Sequence, residues 1–318
     1  MTHLAYAPDL LEEAVLTAER TMSTVGRWEF RRERDRLYEL PDHDQREERF
    51  RSLHLRWFVR LGLHRVVEQA IAEREALART QKDSRPIFPT DGRVVRAVTR
   101  SEEGADLMDR VLPEHAGLRP LLVIRLRPAM LLEPDALRAL LRHELTHIGD
   151  MLDSAFGYER TLPPCDDGPS GENIVRDRYR VLWDVTIDGR LARAGCGSVE
   201  VRAARREEFD ATFSMLGDRR RAAFDDWFDY IRPTHAALAA FARAPNGTDS
   251  TNPADSGRCP LCRFPVASLE RQSGRLSSDA SAAIRSDHPT WSIEQGLCSQ
   301  CLDLYEARHE QAVDVSRR

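Results

Sequence analysis

Apolar residues recur at helical spacing through "DLLEEAVLTAERTM" at 9–22 and through "REERFRSLHLRWFVRLGLHRVVEQAIAEREALART" at 46–80, where Gly62 marks a local irregularity. Residues 1–85 therefore read as a helical N-terminal region. From Pro86 the period changes. "RVVRAVT" and "PLLVIRL" are short, aliphatic and bounded by Pro or Gly, the pattern of strands, with "SEEGADLMDRVL" between them read as a helix. In "LEPDALRALLRHELTHIGDMLDSAFG", Pro134 stands at a first helical position, Asp135 in the first turn, and Gly157 where it can close the far end. A second long helix covers 174–194 and closes at Gly195, and more helical sequence follows. The expectation for 86–243 is an α+β core, mostly helical with a small sheet. Residues 244–257 are small, polar and rich in Pro and Gly, hence a linker, and 258–310 form a separate C-terminal domain.

At about 100° per residue, Leu137, Leu141, Leu145, Ile148 and Leu152 fall on one stripe about 80° wide, the core face of their helix. His143, His147 and Asp150 form a separate stripe facing away from it, with Glu144 between the two. Histidines four residues apart on a helix stack on one face and can present two imidazoles to one ion. Glu144 beside them is placed to take a proton from a water that the metal acidifies, and to pass it to a leaving amine.

A catalytic zinc site needs a third protein ligand. Asp150 lies about 10 Å along the axis from His143, too far to share an ion with it, so its expected part is to support a histidine by hydrogen bonding. Asp153, ten residues after His143, is a candidate if the chain bends. In "RYRVLWDVTIDGRLARAG", Asp184 and Asp188 are four apart, so their carboxylates share one helix face, and Asp177 extends the stripe. All three of Asp153, Asp184 and Asp188 stay open as the third ligand. The plain alternative is that the aspartates pair with the abundant arginines.

HExxH at 143–147 followed by a helix with two carboxylates four apart resembles the gluzincin branch of the zincin metallopeptidases, in which a second helix carries ExxxD. The resemblance covers about 75 residues, from the strand near Leu121 to Gly195. It implies a zinc-dependent peptidase acting on a protein or peptide, with Glu144 as general base, Asp184 as ligand and Asp188 as partner of His143. Asp replaces the family's Glu at 184. The shorter side chain demands closer helix packing, and Asp188 could then be the ligand instead. Asp153 stands where metzincin-type proteases carry their third ligand, without the glycine those proteins use to turn the chain.

The remaining chemistry lies in the tail. "CPLC" at 259–262 and "CSQC" at 298–301 make a paired CxxC unit, which in a chain without an export signal reads as a structural zinc site on Cys259, Cys262, Cys298 and Cys301. The unit is similar to a zinc ribbon or treble clef, with Trp291 and Tyr305 as core candidates. It implies a protein or nucleic-acid partner. Cys165 and Cys196 read as ordinary thiols. A net charge of −5 excludes a strongly basic nucleic-acid binder, and 41% hydrophobic residues beside 31% charged ones exclude general disorder. Arginine carries nearly all the positive charge, Lys82 being the one lysine. No stretch has the roughly 20 apolar residues of a membrane helix, and the N-terminus lacks a signal pattern, so a cytoplasmic protein with no membrane role is expected. The rival to an enzyme with one catalytic and one structural zinc is a non-enzymatic adaptor acting through the zinc ribbon.

Overall fold

A computed structural model of the protein describes residues 2–80, 88–110, 119–162, 168–246, 259–262, 269, 276–298 and 300–306. The chain is α+β, mostly helical around one small sheet. Its first half runs β1 (His3–Tyr6), α1 (Pro8–Glu19), α2 (Thr24–Leu37), α3 (His43–Arg60), α4 (Arg65–Thr80), β2 (Asp91–Arg96), β3 (Gly104–Arg110) and β4 (Arg119–Leu126). Then follow α5 (Pro134–Leu152), α6 (Gly168–Arg193), α7 (Val199–Thr212), α8 (Arg220–Phe228), α9 (His235–Arg243) and α10 (Ser278–Asp287). Gly62 adopts φ 73° between α3 and α4, a left-handed turn that ends one helix and starts the next.

The sheet order is β1-β2-β4-β3, with β1, β2 and β4 parallel and β3 antiparallel at one edge. The helix expected over 101–112 is instead β3. Ala105 and Leu107 are half-buried while Asp106 and Met108 are exposed, and this alternation of period two outweighs the acidic, helix-like start of the segment. Residues 111–112 lie outside the described residues. Val94, Leu122, Ile124 and Leu126 turn one face of the sheet toward the helices. They join Leu10 and Val15 of α1, Trp57 and Phe58 of α3, Val67 of α4, and α5 in one apolar core. The N-terminal helices and the sheet thus share a core, and β1 pairs with β2 across the sequence boundary near 85.

On α5 the predicted stripe is the buried one, with Leu137, Leu141, Leu145 and Ile148 at 0–1% exposure and Leu152 packed against them. The helix stops at Leu152 rather than running on to Gly157. Asp153 is extended (φ −83°, ψ 115°) and its Oδ1 accepts the N–H of Ala155 at 2.9 Å, closing a turn that Gly157 completes at φ 67°.

Two compact units divide the chain, one of Met1–Pro164, Leu182–Arg205 and Asp226–Leu238, the other of Cys165–Val181, Arg206–Asp225 and Ala239–Arg318. In the first, residues 182–189 of α6 are buried on every side. Gly189 permits this, because a Cβ there would sit 1.7 Å from the carbonyl oxygen of Phe228. In the second, Phe209 stacks on Phe213 at 4.5 Å and meets Phe224 edge-on at 5.6 Å. A separate core gathers Ala280, Ile284, Trp291, Leu297, Leu302 and Tyr305 around the cysteines.

Gly189→Ala should cost about 1–3 kcal/mol in a denaturant titration, because the blocking atom is backbone and cannot rotate away. A variant as stable as the parent would show that α6 can shift from the Phe228 carbonyl.

Candidate metal centres

The first centre lies where α5 faces α6. Both histidines project from the side of α5 away from the leucines, and Asp184 and Asp188 project from consecutive turns of α6. His143 Nε2, His147 Nε2 and Asp184 Oδ1 form a small triangle with edges of 3.2, 3.3 and 2.9 Å. Three ligands at zinc bond lengths of about 2.0–2.1 Å in a tetrahedron stand about 3.3 Å apart, so the spacing and the N, N, O donor set fit a small divalent cation. These three residues make one of the two groups that could hold a metal among the described residues.

Asp188 occupies the other side of His143, whose Nδ1–H donates to Asp188 Oδ1 at 2.7 Å. A proton held on Nδ1 by that carboxylate turns Nε2 toward the triangle, where it is 3.3 Å from Asp184 Oδ1. Of the three open candidates, Asp184 is therefore beside both Nε2 atoms, Asp188 is behind His143, and Asp153 is held in the turn after α5. Asp177, on the same sequence stripe, is exposed and paired with Arg180.

Asp150, expected to support a histidine, is buried with its carboxylate on other partners. It accepts the indole N–H of Trp183 at 2.7 Å and both Nη groups of Arg190 at 2.7 and 2.6 Å. Trp183 in turn lays its ring edge-on to His147 at 4.5 Å, so Asp150 acts on the histidine only through the indole. Tyr158 packs on Trp183 and His235 on Tyr158, extending an aromatic wall from His147.

Glu144 reaches the edge strand. Its Oε2 accepts the N–H of Ala105 at 3.0 Å, and a Cβ on Gly104 would come within 3.1 Å of the same oxygen. The glycine is thus part of how the carboxylate is seated beside β3.

Arg205 of α7 had no place in the sequence reading. Its Nε donates to Asp188 Oδ2 at 2.8 Å and its Nη1 to Asp184 Oδ2 at 3.1 Å. Nothing in "VRAARREEF" singles it out from Arg202 and Arg206, and only helix packing selects it. Burial pushes both aspartates up, but hydrogen bonds from the histidines and the Arg205 charge hold them well below the usual carboxylate range. Burial pulls His143 down, yet its bonds to Asp184 and Asp188 prevail and raise it to about 9.

No family model matches the chain, and no curated protein or solved structure matches it either.

The second centre is the paired CxxC unit. The sulfurs of Cys259, Cys262, Cys298 and Cys301 lie within 4.8 Å of one another, all four unbridged. Cys262 Sγ and Cys298 Sγ are 3.8 Å apart, the edge of a tetrahedron with Zn–S bonds of about 2.3 Å. The N–H of Cys298 points to Cys259 Sγ at 3.5 Å and that of Cys301 to Cys298 Sγ at 3.4 Å; against burial, backbone N–H groups lower the Cys259 thiol, whereas burial and the neighbouring sulfurs keep Cys298 and Cys301 raised. Trp291 and Tyr305 are buried around the cluster, Trp291 donating to the Gly296 carbonyl and Tyr305 to Asp287. The described part of this module is helical, with α10 and a helix over 300–306. The strand expected at 263–269 lies outside the described residues except for Leu269. Cys165 is also outside them, and Cys196 is an exposed free thiol.

The His143 shift has a definite sign. With a folded pKa of about 9 against an unfolded 6.5, its stabilisation is complete below about pH 6.5 and is lost as pH rises through 9. In metal-stripped protein, the stability difference between wild type and His143→Gln should therefore shrink by up to about 3 kcal/mol from pH 6 to pH 10 in urea titrations. A difference that stays constant over that range would refute the raised pKa.

Proposed function

We propose that the protein is a zinc-dependent peptidase whose active site is built on His143, His147 and Asp184, with Glu144 as general base. The observation that carries this reading is the triangle of two imidazole nitrogens and one carboxylate oxygen at the spacing of zinc ligands. Zinc held there would supply the Lewis acidity that polarises a peptide carbonyl and acidifies a water. Asp188 would keep a proton on His143 Nδ1 while Nε2 gives up its own to bind the ion. Glu144, on the next position of the same helix, takes a proton from the attacking water and hands it to the leaving amine. Its bond to the Ala105 N–H, on the edge strand of the sheet, supports a substrate chain lying along that edge.

In the same reading Cys259, Cys262, Cys298 and Cys301 hold a structural zinc, and the small module around them is the element that meets a protein or nucleic-acid partner. Thiols kept for a metal suit a reducing compartment, which supports a cytoplasmic location. No helix among the described residues is long and apolar enough to cross a membrane. The competing reading is a non-enzymatic adaptor with an inert first centre. It has one observation in its favour: Arg205 and a protonated His143 can balance the two aspartates without a cation.

Metal content separates the two. The purified chain should carry two zinc ions by mass spectrometry, and His143→Ala should keep one. A single ion that survives this substitution would point to the adaptor. Glu144→Gln should retain both ions while hydrolysis of a fluorogenic peptide library falls by about 100-fold or more. Undiminished hydrolysis in that variant would rule out the mechanism proposed for Glu144.

A further inference from the structure

Each aspartate at the first centre has its two oxygens sorted. The inner oxygens face the imidazoles, Asp184 Oδ1 toward both Nε2 atoms and Asp188 Oδ1 toward His143 Nδ1. The outer oxygens face one guanidinium, Asp184 Oδ2 at Nη1 and Asp188 Oδ2 at Nε of Arg205. Arg205 is itself largely buried, with 18% of its side chain exposed, and it stands on a third helix that carries neither half of the metal motif.

A carboxylate without such a clamp can turn both oxygens onto a cation, as the oxygen-rich sites of larger ions do. An aspartate beside a metal can also swing from a supporting bond into the coordination sphere. The planar fork of an arginine opposes both motions, because it binds two oxygens at fixed directions at once, which a lysine ammonium does not. Its positive charge also offsets one of the two negative charges that the cation would meet.

From this geometry we infer that Arg205 is a positioning residue that restricts Asp184 to one-oxygen ligation and keeps Asp188 on His143, holding the centre at a low coordination number. The inference rests on the metal-site reading above. It concerns this chain's own selection of ligand geometry, which neither motif helix determines alone.

Cobalt(II) reads coordination number directly, since four-coordinate ions absorb visible light far more strongly than five- or six-coordinate ones. The full chain is loaded with Co²⁺, and the spectrum of a His143→Ala variant loaded in the same way is subtracted to remove the contribution of the cysteine site. Wild type should leave an intense visible band. Arg205→Ala, at equal cobalt content, should lose about twofold or more of that band as Asp184 takes the ion with both oxygens. Arg205→Lys should lose a similar share, because it keeps the charge and loses the fork.

An Arg205→Ala band as intense as wild type, at equal cobalt content, overturns the inference. So does full recovery in Arg205→Lys, which would reduce the residue's part to charge alone. If Arg205→Ala does not fold, by circular dichroism, the lysine variant decides by the same criterion. A wild-type chain with no difference band at all rejects the metal reading on which this inference rests, a result distinct from either outcome at Arg205.

Discussion

Residues 182–189 of α6 are buried on every side, yet they include Asp184 and Asp188, and the rest of the first centre follows from what two buried carboxylates require. An ionised carboxylate removed from water without partners costs many kcal/mol, so each oxygen must be held by a donor or a cation. Two donors come from α5, as His143 and His147, and a third group comes from α7, as Arg205. The three helices are fixed to one another by that demand as well as by apolar contact. A helix that is apolar on all sides could slide; one that carries charges at two levels has a register.

The same demand is met a second time behind the site. Asp150 takes a bidentate arginine and an indole N–H, and the indole packs against His147. The histidine pair is thereby held from two directions, by carboxylates on one side and by an aromatic wall on the other. The apolar face of α5 lies in the core shared with the sheet, so the side chains that meet the charges are carried by a helix whose opposite face is immobilised. That is the arrangement in which a metal site can be preorganised rather than assembled by the ion.

The cysteine module solves a different problem. Its own core is a handful of residues around Trp291 and Tyr305, too few for a domain of this size to be secure without a cross-link. Four sulfurs within 4.8 Å of one another could supply that cross-link through one ion. A metal bound there would be a folding element. The residues of the first centre, by contrast, already have partners in one another and in Arg205.

What the sequence determined by itself is what depends on local period. The leucine stripe and the histidine stripe of α5, the pairing of carboxylates four apart on α6, the break at Gly62 and the two CxxC units are all set by a few neighbouring residues and the geometry of a helix or a knuckle. The edge strand β3 escaped because its seven residues begin like a helix, and period two shows over so short a stretch only once a partner strand is in place. Which aspartate faces both Nε2 atoms, and which backs His143, is decided by how α5 and α6 cross, 37 to 45 residues apart in the chain. That Asp150 would hold Trp183 and Arg190, and that Arg205 would reach both Asp184 and Asp188, are likewise outcomes of packing. A side chain's type and its place on a helix are written locally, whereas its partner is chosen by whichever group the tertiary fold brings within about 3 Å.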